Sequence, residues 1–117
     1  MDWERIEPEL SFHDPLSRLC FRSIGDSSVE LTFLDWRDRR LVILFSDVSF
    51  FSYGFFPPDV RCTEANFYRK SESPKIEQLR ECRLIGMEET AIHYLIGTNE
   101  DEWCEVIATS HEVKVIQ

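Results

Sequence analysis

The sequence predicts a β-rich α+β domain: a single antiparallel sheet of six to eight strands with one short helix. The sheet is expected to be a meander, strongly curved or barrel-like. Three observations predict it. Short stretches alternate apolar and polar residues with period two, Val29-Glu30-Leu31-Thr32-Phe33 most cleanly. Turn-forming residues separate those stretches, as in Gly25-Asp26-Ser27-Ser28 and Gly97-Thr98-Asn99-Glu100-Asp101. One segment, opening at Ser73-Pro74, carries the signature of a capped helix start.

Length and composition bound the rest. The 117 residues suit one domain, 1–117, and no stretch is rich enough in Gly, Pro or Ser to serve as a linker. Hydrophobic residues make up 43% of the chain and aromatics 13%, which supports a real core and excludes a disordered tail. Thirteen Lys and Arg stand against 22 Asp and Glu, a net charge of -9. That sign disfavours nucleic acid and anionic membranes, whose phosphates require Lys and Arg contacts, and favours a basic partner.

The first strand is read from Arg18 to Ile24, closed by the Gly25–Ser28 turn. Val29 to Phe33 follows as a half-buried strand, with Glu30 and Thr32 on its wet side. Asp35-Trp36-Arg37-Asp38-Arg39 turns the chain back. Arg40 to Val48 is apolar on both faces and is placed in the middle of the sheet. The segment from Ser49 to Val60 is irregular. It carries Phe50, Phe51, Tyr53, Phe55 and Phe56 ahead of Pro57-Pro58, which cannot sit in a central strand. Arg61 to Tyr68 reads as a strand with Cys62, Glu64, Asn66 and Tyr68 on one side.

Ser73 at the N-cap, Pro74 at the first helical position and Glu77 in the first turn start a helix running to about Cys82. Ala91 to Ile96, Glu102 to Thr109 and Val113 to Ile116 complete the set of strands.

The search for chemistry is mostly negative. Four glycines are scattered, leaving no phosphate loop, and neither Gly-x-Ser-x-Gly nor His-Glu-x-x-His occurs. Cys20, Cys62, Cys82 and Cys104 form no Cys-x-x-Cys pair and have no histidine at ligand spacing, so no metal site and no cofactor are expected. His13 beside Asp14 suits a turn or helix entry, His93 a solvent-facing or hydrogen-bonded position in mid-strand, and His111 a turn. An enzyme is not expected. The N-terminus lacks the basic and apolar regions of a signal peptide, and the longest apolar run, Leu41 to Phe45, falls far short of the roughly 18 residues of a membrane span. The expected address is the cytoplasm, with reduced thiols.

Acids cluster at strand ends. Glu100, Asp101, Glu102 and Glu105 crowd one turn and its strand; Asp2, Glu4, Glu7 and Glu9 load the first segment; Asp35, Asp38, Asp47 and Asp59 recur at turns. Such placement serves solubility, or it forms a negative face that steers a basic protein. Asn99-Glu100-Asp101-Glu102 lacks the spacing of a calcium loop. The aromatic run reads as a hydrophobic plug, an exposed anchor patch or the lining of a ligand cavity. Trp36 and Trp103 stand beside acids at strand ends and suit the anchor role.

Phe12-His13-Asp14, then Val29 to Phe33, then Leu41-Val42-Ile43-Leu44-Phe45-Ser46-Asp47-Val48-Ser49-Phe50-Phe51 resemble the opening half of small acidic bacterial immunity proteins. Those proteins belong to polymorphic-toxin and contact-dependent growth-inhibition systems. The rhythm of Ile92 to Ile96 and Trp103 to Ala108 is similar too. The resemblance implies a non-enzymatic inhibitor that binds one cognate toxin domain, often a basic nuclease, and it carries no catalytic residues. Asp35, Asp38, Glu100, Asp101 and Glu102 are then expected to supply charge, and Trp36, Tyr53 and Trp103 the anchors. A monomer is expected. Two other classes stay open: a β-domain holding a hydrophobic ligand in a sheet cavity, and an adaptor that dimerises through an edge strand.

Overall fold

The alternating segments build two antiparallel sheets, which corrects the expectation of a single curved or barrel-like sheet. The computed structural model describes residues 3–55, 57–58 and 64–117. In chain order they form β1 (Glu4–Arg5), β2 (Cys20–Ile24), β3 (Ser28–Leu34), β4 (Arg40–Ser46), β5 (Phe50–Gly54), β6 (Phe67–Lys70), α1 (Pro74–Glu81), β7 (Ile92–Gly97), β8 (Trp103–Ala108) and β9 (Ser110–Ile116). One sheet has the order β1-β6-β7-β8-β5 and the other β2-β3-β4-β9, and neither closes into a barrel. Strands β1 and β5 were not foreseen, and β9 begins three residues before the expected Val113. The expected strand from Arg61 lies partly outside the described residues; β6 begins at Phe67.

The sheets separate because two paired strands bend together. β4 pairs with β9 up to Ser46↔Ser110, and pairing resumes between β5 and β8 at Phe50↔Ile107. Residues 47–49 therefore face only 108–109, an extra residue that bends the ribbon as a bulge does. Asp47 takes a left-handed backbone, φ 52°. The Thr109 hydroxyl donates to the Ser46 carbonyl at 3.1 Å and to the Asp47 carboxylate at 3.2 Å, while Ser27 donates to the other Asp47 oxygen at 3.3 Å. Alternation tells which side of a strand is buried but not where a ribbon leaves its sheet.

Between the sheets lie Leu31, Phe33, Leu41, Ile43 and Phe45 from one and Phe67, Tyr94, Ile96, Cys104, Val106 and Ala108 from the other, joined by Phe12 and Leu10. The five-stranded sheet is covered on its other face as well. There α1 lays Ile76 and Leu79 against Ile107, and a smaller cluster gathers Tyr68, Leu95 and Trp103. α1 starts as its sequence dictates, with the Ser73 hydroxyl accepting the Ile76 N–H at 3.1 Å and Pro74 in the first turn. β4 lies inside its sheet, between β3 and β9, as its apolar sequence requires. Among the described residues no second layer covers the outer face of that four-stranded sheet, and Thr32, Val42 and Leu44 there are half-buried.

Candidate functional site: an aromatic rim flanked by acidic turns

β2 and β5 are the edges of their respective sheets. Phe21 pairs with Leu31, while Phe51 and Tyr53 pair with Val106 and Cys104; all three partners belong to the core. Directly paired residues share a face, so these three rings point between the sheets. Among the described residues no further strand lies beyond either edge, and the rings line the open side themselves. Phe21 stands 4.8 Å from Phe51 and 5.2 Å from Tyr53, and Tyr53 stands 5.6 Å from Phe55, centroid to centroid and edge to face. Phe50 faces the opposite way and packs against the α1 cluster. The aromatic run is thus divided by strand parity into a plug, Phe50, and an exposed row, Phe51, Tyr53 and Phe55; Phe56 lies outside the described residues.

The row continues into a cleft of about 360 Å³ lined by Pro15, Leu16, Ser17, Arg18, Phe55, Glu100 and Glu102. Leu16 is 58% exposed and Phe55 52%, unusually large apolar exposures for side chains in one small cleft. Backbone bonding holds the cleft's wall. Leu16 N–H donates to the Leu34 carbonyl at 2.9 Å and Leu34 N–H to the Ser17 hydroxyl at 2.8 Å, so the β3–β4 turn lies beside it. Asp14 and Asn99 exchange two hydrogen bonds, at 2.7 and 3.0 Å, and bring the β7–β8 turn to the same end.

Glu102 is the floor of this end. It is 3% exposed, and both its oxygens accept the Leu19 N–H at 3.3 Å. The Tyr53 hydroxyl donates to it at 2.5 Å. That bond to Glu102, with burial second, raises the Tyr53 pKa above the usual phenol value. The carboxylate thereby fixes the Tyr53 ring, leaving one face of it in the row.

The sequence-predicted residues divide accordingly. Trp36, Asp38, Tyr53, Glu100 and Asp101 are exposed. Arg37 lies over the Trp36 ring, 4.6 Å from its centroid. Asp35, Glu102 and Trp103 are buried, at 0%, 3% and 4% exposure. Asp35 accepts the N–H groups of Arg37 and Arg39, each at 2.9 Å, and pairs with the Arg39 guanidinium at 2.8 Å. Burial by itself would raise its pKa; the Arg39 and Arg37 bonds together hold it below the ordinary carboxylate value. Trp103 lies against Gly97, where a Cβ would stand 2.5 Å from the indole. These three shape the end from within.

Sequence reasoning missed Leu16, Pro15 and Phe21, because exposure at the meeting of two sheet edges has no local signal. It also missed the partners of two histidines. His93, 4% exposed, lies 2.8 Å from the Ser73 hydroxyl and 3.0 Å from Glu105. The two ring nitrogens thus bridge the Ser73 hydroxyl and the Glu105 carboxylate. Ser73 is already the α1 cap, so the string fastens that helix to β7 and β8. His111 joins Tyr94 at 3.0 Å to Glu7 at 2.8 Å and ties β9 to the other sheet. Burial pushes the Tyr94 phenol up to about 12 and the Cys104 thiol well above the ordinary thiol value.

A second depression, about 710 Å³, crosses the uncovered face of the four-stranded sheet and is lined by Arg22, Arg40, Lys114, Glu30 and Val42 among others. It is the more basic surface, and Arg22 there is paired with Glu30 at 3.1 Å. Among the described residues no group of three His, Cys, Asp or Glu side chains is placed to hold a metal ion, and no helix is long and apolar enough to cross a membrane. No protein-family model, no curated protein and no solved structure matches this chain.

Proposed function

We propose that the protein acts by binding another protein, as an immunity protein that neutralises a cognate cytotoxic domain of basic, nuclease-type character. The observation that carries the reading is the exposed row of Phe51, Tyr53 and Phe55, which runs into the Leu16 cleft with Glu100 at its lip. Apolar anchors that lose their water at the centre of a contact, with polar groups around them, are the usual source of affinity in protein interfaces. Asp38, Glu100 and Asp101 supply the acidic rim. With the net charge of -9 they favour fast encounter with a basic surface. The resemblance of Leu41 to Phe51 and its neighbours to immunity proteins supplies the biological class.

The test is affinity capture from host lysate with the tagged chain, run beside a Leu16→Ser/Phe55→Ser variant. Both positions are more than half exposed, so the variant keeps the fold. The expected result is one basic chain, near-stoichiometric and lost at high salt, held by the wild type and not by the variant. Equal capture by both would remove the rim from the account, and no captured basic chain would remove the inhibitor reading.

A further inference from the structure

We propose that the free edge of β9 is the contact of a symmetric dimer, formed with a second copy of this chain. β9 ends the four-stranded sheet, and the β2 edge at the other end stands beside the aromatic row. Among the described residues β9 pairs with β4 alone. A seven-residue edge with Val115 and Ile116 at 39% and 52% exposure is a template for another strand.

The sequence of the edge selects the occupant and the register. In an antiparallel pair about a two-fold axis, full overlap of Ser110–Ile116 is reached only with Val113 opposite Val113. That register sets Glu112 opposite Lys114 twice, on the uncovered face of the sheet. His111 then stands opposite Val115 and Ser110 opposite Ile116. Shifting the axis by one residue sets Glu112 against Glu112 or Lys114 against Lys114. Inside the protomer the residues opposite these two charges are Leu44 and Val42, and among the described residues neither charge has an ion-pair partner. The register with the largest overlap is therefore also the complementary one, and a charged edge that resists foreign strands accepts its own copy. The same operation on β2 sets Arg22 against Arg22.

Pairing would join two four-stranded sheets into one of eight and leave both aromatic rims free. The contact is independent of the identity of any partner bound there.

The test is sedimentation equilibrium of the wild type, Glu112→Lys, Lys114→Glu and the double exchange, up to about 100 µM. Both side chains are exposed, and circular dichroism verifies the fold. The wild type is expected to dimerise. Each single reversal, by making two like-charge pairs, is expected to weaken the dimer about tenfold or more. The double exchange restores it, and a mixture of the two single variants forms a heterodimer. A monomeric wild type, or a dimer indifferent to the single reversals, would overturn the proposal.

Discussion

The β3–β4 and β7–β8 turns have one backbone and two outcomes. In the first, Asp35 N–H donates to the Arg39 carbonyl at 2.9 Å; in the second, Thr98 N–H donates to the Glu102 carbonyl at 2.9 Å. Each turn has a left-handed aspartate at its fourth position, Asp38 at φ 62° and Asp101 at φ 64°. In each the first side chain accepts an N–H two residues on, Asp35 from Arg37 and Thr98 from Glu100. Both contain an acid followed by tryptophan, yet Trp36 is 50% exposed and Trp103 is 4% exposed.

The difference is one of place within a shared loop. Trp36 is the second turn residue and projects from the tip. Trp103 follows the turn, opens β8 opposite Gly97, and lies on the space that a missing side chain leaves. An acid–Trp step is therefore no interface signature by itself; its position relative to the closing hydrogen bond decides which ring is offered to solvent.

That comparison is broken most forcefully at the tryptophans. Trp103→Ala is expected to cost about 3–5 kcal/mol in urea unfolding, and Trp36→Ala no more than about 0.5 kcal/mol. Similar losses at both would deny the distinction. Gly97→Ala is expected to cost about 1–3 kcal/mol, because its methyl group meets a ring held from all sides. An unchanged denaturation midpoint would mean that the indole moves aside without cost.

The smallest effect is in pH dependence. Since the Arg39 and Arg37 bonds hold the folded Asp35 below the ordinary carboxylate value, the unfolded chain binds its proton first. The stability Asp35 contributes is present above about pH 4 and is lost as pH falls through the lower folded value. Asp35→Asn is expected to lower stability at neutral pH and to flatten the acid limb of the stability curve. An acid limb as steep as that of the wild type would place the sensitivity elsewhere.

Much of the fold was legible because its signals are local. The α1 start at Ser73-Pro74 and the alternation of β3 needed only neighbours a few residues away. The turns were legible as turns, but the fate of Asp35 was not: its four acceptor bonds depend on how Arg39 folds back. β5 escaped notice because five aromatics in seven positions hide a period of two, and only pairing with β8 shows that Phe50 and Phe51 face opposite ways. The division into two sheets rests on a bulge near Asp47 and Thr109, a long-range match that no single segment encodes. The rim was legible only in part, since Tyr53 could be named from its setting whereas Leu16 and Phe21 reach it through the meeting of two edges.

The proposed role of this end of the sandwich is to bind and silence a toxic partner. Its most direct test is growth of cells expressing the captured basic domain together with either the wild-type chain or Leu16→Ser/Phe55→Ser at equal levels. Protection by the wild type and its loss in the folded variant are expected. Equal protection by both would contradict it.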